Sequence, residues 1–95
     1  MDKPINLNIK PETAKGVFSN VMLVTHSDTE FILDFAQNFP GMPQGEIATR
    51  VIVTPEHAKR ILQALGENIQ KYESTHGKIG QNGGTFVLPS GKANA

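Results

Sequence analysis

The sequence has no cysteine and no tryptophan among its 95 residues, and one tyrosine. Without cysteine there can be no disulfide, no thiolate nucleophile, no iron–sulfur cluster and no Cys-type zinc site. It also lacks charge of either sign in excess: nine Lys+Arg balance nine Asp+Glu. No net field therefore draws the chain to nucleic acid or to an anionic membrane. Five Phe and one Tyr give little for base stacking. No apolar run approaches the ~20 residues a membrane helix needs, and the N-terminus carries no signal-peptide pattern. These absences predict a protein without a membrane partner.

What is present fits one small domain over residues 1–80, followed by a Gly-rich, flexible tail over 81–95. A compact chain of 10.3 kDa exposes about 5,400 Å² when folded, so a deep cleft between two domains is excluded. Val17–Thr25, Thr29–Phe35 and Glu46–Thr54 are dense in β-branched and aromatic residues and predict three strands. Ser27-Asp28 between the first two predicts a tight antiparallel hairpin. The Pro- and Gly-rich run Asn38–Gly45 predicts a loop. Ile5-Asn6-Leu7-Asn8-Ile9 alternates between Pro4 and Pro11, which suits a short edge strand.

At Thr54 the period changes. Thr54 is a good N-cap, Pro55 fits the first helical position, and Glu56 suits the positive end of the dipole. Ala58, Ile61, Leu62, Leu65, Ile69 and Tyr72 form one apolar stripe, and Gly77 ends the helix. The fold class is therefore α+β: a three- to four-stranded antiparallel meander followed by one long amphipathic helix. That helix should overrun the sheet, so that Tyr72 and His76 reach toward a partner subunit. Within the tail, Thr85-Phe86-Val87-Leu88-Pro89 is an apolar island that could add a strand to a sheet edge.

The two sheet faces differ. A two-residue turn places Val24 opposite Phe31 and Met22 opposite Leu33. One face then carries Phe18, Met22, Val24, Phe31, Leu33 and Phe35, with Ile47, Val51 and Val53, and the helix stripe belongs there. The other face carries Val17, Val21, Leu23, Ile32 and Ile52, too apolar for a solvated surface. One helix covers only one face. A second copy across a two-fold axis is the common lid, so Val17, Val21, Leu23, Ile32, Ile52 and Tyr72 are the expected oligomer interface, in a dimer or a tetramer. The N-terminal strand and C-terminal tail folding over in cis are the rival.

Asp34 and Arg50 fall on this second face, on neighbouring strands, and predict a structural cross-strand ion pair. As a catalytic pair they lack a third group. His26, His57 and His76 are too far apart in sequence for one metal site. No serine sits in a nucleophile motif, and Gly80-Gln81-Asn82-Gly83-Gly84 lacks the Lys-Ser/Thr and the helix that a phosphate cradle needs. No catalytic residue, metal ligand or cofactor is expected. Lys59, Arg60, Lys71 and Lys78 are interleaved with Glu56, Glu67 and Glu73, which disfavours a phosphate-binding stripe.

Several runs together carry a resemblance: Phe18-Ser19-Asn20, Glu30-Phe31-Ile32-Leu33-Asp34-Phe35, Arg50-Val51, Pro55, Tyr72-Glu73 and Gly77-x-Ile79. With them the chain resembles a small bacterial family, domain of unknown function 3467, over about residues 15–80. The resemblance implies a stand-alone cytoplasmic bacterial protein and no established activity. From the residues themselves the first expectation is a non-enzymatic homo-oligomeric binding or adaptor protein that holds a peptide or protein. The alternatives are a nucleic-acid-associated regulatory protein and a small enzyme whose site forms between subunits.

Overall fold

The structure, a computed structural model, describes residues 5–80 and 85–87. Its elements in chain order are a single helical turn α1 (Pro11–Ala14), β1 (Val21–His26), β2 (Phe31–Gln37), β3 (Glu46–Val53), α2 (Pro55–His76) and β4 (Thr85–Val87). The sheet order is β3-β2-β1-β4. The first three strands form the expected antiparallel meander and the long helix follows, an α+β arrangement. β4 comes from the apolar island and pairs with β1 in parallel, the geometry of a distant return rather than a hairpin. Apart from that strand, the Gly-rich segment 81–95 lies outside the described residues.

The N-terminal strand does not form. Ile5, Leu7 and Ile9 are exposed and unpaired among the described residues, and Pro11 starts α1. Alternation makes a strand only where a sheet edge accepts it, and Ile5–Ile9 pairs with neither edge of this sheet, the open border of β3 included. The outer edge of β1 is taken by β4.

The hairpin turns one residue later than the sequence suggests. Ser27 and Glu30 face each other, with the Ser27 amide donating to the Glu30 carbonyl at 2.9 Å. The Ser27 hydroxyl accepts from the Thr29 and Glu30 amides at 3.2 and 3.3 Å. Serine therefore flanks the turn instead of forming it. Val24 pairs with Leu33 and Met22 with Phe35, a shift of two that keeps every residue on its face.

A β-bulge changes the third strand. Phe35 pairs with Thr49 and Ala36 with Ile47, so Ala48 is the extra residue. Ile47 consequently crosses to the second face, beside Ala36 and Val21, where it lines the same hollow. The first face is thus Met22, Val24, Phe31, Leu33, Phe35, Val51 and Val53, without Ile47.

The helix forms as read, with identical bounds. Thr54 Oγ1 accepts from the His57 amide at 3.1 Å, Pro55 opens the first turn, and Gly77, at φ +89°, closes the last. Glu73 finishes the end: its backbone carbonyl accepts from Gly77 and its carboxylate from the Ile79 amide, both at 2.9 Å. Its packing is not as read. The stripe was expected to cover the first face, yet α2 buries none of its residues. Pro55, Ala58 and Ile61 are half-buried near the sheet, while Leu62 is 72% exposed and Leu65 58%. An apolar stripe specifies that a helix will be covered, not which chain will cover it.

As a result the core is minimal. Ala36 is the one buried apolar residue among those described. The exposed stretch Ile5–Lys10, the open sheet faces and the free helix leave Ile5, Leu7, Ile52, Leu62 and Leu65 each more than half exposed.

Candidate functional site

The second face is built around a charge. β2 presents Ile32, Asp34 and Ala36, β1 presents Val21, Leu23 and Thr25, and β3 presents Ile47, Arg50 and Ile52. Asp34 and Arg50 are directly paired across the strands. Arg50 donates from Nε to Asp34 Oδ1 at 2.6 Å and from Nη2 to Oδ2 at 2.9 Å. This is the fork-to-fork geometry that only arginine provides. The hydrogen bonds from Arg50 hold the Asp34 carboxyl below the ordinary carboxylate range, partial burial opposes them, and the guanidinium charge adds to them. The same pair raises Arg50.

Burial is uneven within the pair. Asp34 is 5% exposed, whereas the Arg50 side chain is 56% exposed. The guanidinium therefore lies over the carboxylate as a charged lid, with its outer side facing outward. Both carboxylate oxygens are engaged, so Asp34 has no oxygen left free of Arg50 to act as a base. The expected structural ion pair is present.

Around it lies apolar surface. Ile52 is 55% exposed and Ile47 52%. Val21, Leu23 and Ile32 are half-buried. Beside the ion pair, a shallow hollow of about 220 Å³ is lined by Val21, Leu23, Ala36 and Ile47, with Gln37, Asn38, Gly45 and Glu46 at its rim. Four of the six expected interface residues, Val21, Leu23, Ile32 and Ile52, share this face. Val17 precedes β1 and is exposed. Tyr72 stands elsewhere, on α2, stacked on His76 at 4.4 Å beside Ile69 and Ile79. Sequence reading missed Ile47, because alternation cannot foresee a bulge.

A polar clasp closes the rim. The Asn20 side chain donates to the Asn38 carbonyl and accepts from the Asn38 amide, both at 3.0 Å, imitating one more ladder rung. Ser19 Oγ reaches the Ala36 carbonyl at 2.9 Å, and Gln37 Nε2 donates to the Phe18 carbonyl at 2.9 Å. Phe18 stacks on Phe39 at 5.7 Å. The incoming chain is thereby tied to the end of β2 with side chains where backbone pairing has run out.

His26, His57 and His76 do not converge with acidic residues, and no group of three metal-ligating side chains occurs among the described residues. Nor is any buried side-chain nitrogen or oxygen left without a partner there. Among the described residues no helix is long and apolar enough to cross a membrane.

Fold and face together define a small α+β chain: an open β-layer with a long free helix and a bidentate ion pair on an apolar face. A family described as protein of unknown function, DUF3467, matches residues 1–81, and the chain belongs to that family. Searches of the curated proteins and of the solved structures each found no match. The residues that carry the resemblance have structural work in the geometry just described. Phe18, Ser19 and Asn20 form the clasp, Asp34 and Arg50 the ion pair, Pro55 the helix start, and Glu73 with Gly77 and Ile79 its end.

Proposed function

We propose that the protein is a non-enzymatic, homo-oligomeric binding or adaptor protein of the bacterial cytoplasm, which holds a peptide or another protein on its sheet or helix surface. The observation that carries this reading is that both sheet faces and the helix stripe stand open at once. A chain so exposed gains most of its stability by association, since roughly 25 cal/mol is returned for each Å² of apolar surface removed from water. The commitment of Asp34 to Arg50 supports a non-catalytic role for the pair. An ion pair inside an apolar face also favours one register of a bound partner over others.

Light scattering over a micromolar concentration series tests the oligomeric half. A mass above that of one chain is expected, and a compact monomer throughout refutes it. Fluorescence anisotropy with labelled extended peptides of alternating apolar pattern tests the binding half. Ile32→Lys should abolish the signal on the second face, and binding unaffected by Ile32→Lys places the ligand elsewhere.

A further inference from the structure

We infer that α2 is exchanged between two copies of the chain, the helix of each protomer lying along the first sheet face of the other. This rests on the homo-oligomeric reading above and states which surfaces meet.

The connection is the first argument. β3 ends at Val53 and α2 begins at Pro55, so Thr54 alone joins them. A residue before proline is barred from the helical region, and Thr54 is held extended at φ −74°, ψ 159°. Its hydroxyl is also occupied, accepting from His57. Turning a helix back over its own strands usually takes two to six residues. Here one stiff residue must do it. Short hinges are the ones that favour exchange of an element over closure within a chain.

The surfaces are complementary. Beyond Ile61 the stripe continues with Leu62, Leu65, Ile69 and Tyr72, all exposed. The first face is wholly apolar apart from its margins, and none of its residues is buried. From Leu62 to its end at His76 the helix runs about 22 Å. β2, with seven residues, is about 23 Å long. A helix about 10 Å across matches the roughly 10 Å spanned by β1, β2 and β3, the three long strands of the four-stranded layer. One helix fits one face.

Area agrees with this. Leu62, Leu65, Ile69 and Tyr72 stand 72%, 58%, 38% and 51% exposed, contiguous apolar surface of the kind that an interface of about 800 Å² per partner covers. The exchange is reciprocal and closes after two copies. It leaves the second face, with Asp34 and Arg50, turned outward and available.

Two measurements test it. First, a six-residue Gly/Ser insertion between Val53 and Thr54 gives the helix slack to reach its own sheet. Light scattering should show the mass falling from two chains to one at micromolar concentration, with helix content by circular dichroism unchanged. A dimer of unaltered dissociation constant overturns the inference. Second, the otherwise native chain carries benzoylphenylalanine in place of Leu65 and is mixed with isotopically heavy chain before illumination. Adducts should join Leu65's position on one chain to peptides of β1 or β2 on the other. A native dimer with adducts within one chain only overturns the exchange and leaves the homo-oligomer standing. A native monomer overturns both. The crosslinking result stands even if the insertion variant fails to fold.

Discussion

Leu65→Ala separates a helix that is free in solution from one that is covered in an assembly. In the lone chain Leu65 is 58% exposed. Truncation there costs almost nothing, since Ala is the better helix former by a few tenths of a kcal/mol. In an assembly the exposed part of the side chain is the part that becomes buried. Full burial of a leucine contributes about 1.5–3 kcal/mol, so this fraction contributes about 1–1.5 kcal/mol per copy. Two copies lose about 2–3 kcal/mol, which weakens a dimer about 30- to 150-fold. Sedimentation velocity over a concentration series reads the dissociation constant directly, and thermal melting at two concentrations provides the control. The expected result is weaker association and a lower melting temperature than the native chain at each concentration. Unchanged association, with a melting temperature unchanged or slightly higher, refutes the reasoning that the stripe is an interface.

Gly66→Ala should stabilise, because an added Cβ meets nothing within 4 Å and the helix gains about 0.8–1 kcal/mol. Calorimetry should show a rise of about 4–8 °C, and a fall would place a close neighbour against that position in the assembly. Asn20→Ala removes both hydrogen bonds to Asn38 and should cost about 1–2 kcal/mol in urea unfolding; no change would make the clasp ornamental. Asp34 is more acidic folded than unfolded, so its contribution to stability is complete above the unfolded carboxylate value of about 3.9 and is lost as pH falls through the lower folded value. Asp34→Asn should flatten the melting-temperature profile below about pH 4, and a profile identical to the native one would remove the pair from the acid response.

The sequence made the helix legible to the residue because its ends are local chemistry: Thr54 and Pro55 at one, Gly77 at the other. The ion pair was legible because alternation along β2 and β3 puts Asp34 and Arg50 on one face; their register belongs to the β2–β3 pair, which the misplaced turn between β1 and β2 does not touch. Three features were not legible, each for its own reason. The bulge at Ala48 inserts a residue without any change in composition, and it carries Ile47 across the sheet. The alternation at Ile5–Ile9 pairs with no strand, because a period of two says nothing about which edge, if any, accepts it; β4 takes the edge of β1 at Val21–Leu23. The exposure of the α2 stripe depends on where a short connection leads the helix, and that is a property of backbone geometry at Thr54 rather than of hydrophobic pattern.

The same bulge has a bearing on solubility. β3 is the marginal strand of the layer, and among the described residues its outward-facing amides and carbonyls pair with nothing. A flat border of eight residues with this much valine and isoleucine would template stacking of chain upon chain without end. The kink at Ala48 interrupts the hydrogen-bonding rhythm partway along, so a stray strand can zip onto the stretch from Thr49 to Val53 but not onto its whole length. Deleting Ala48 would remove that interruption and leave one unbroken border from Glu46 to Val53.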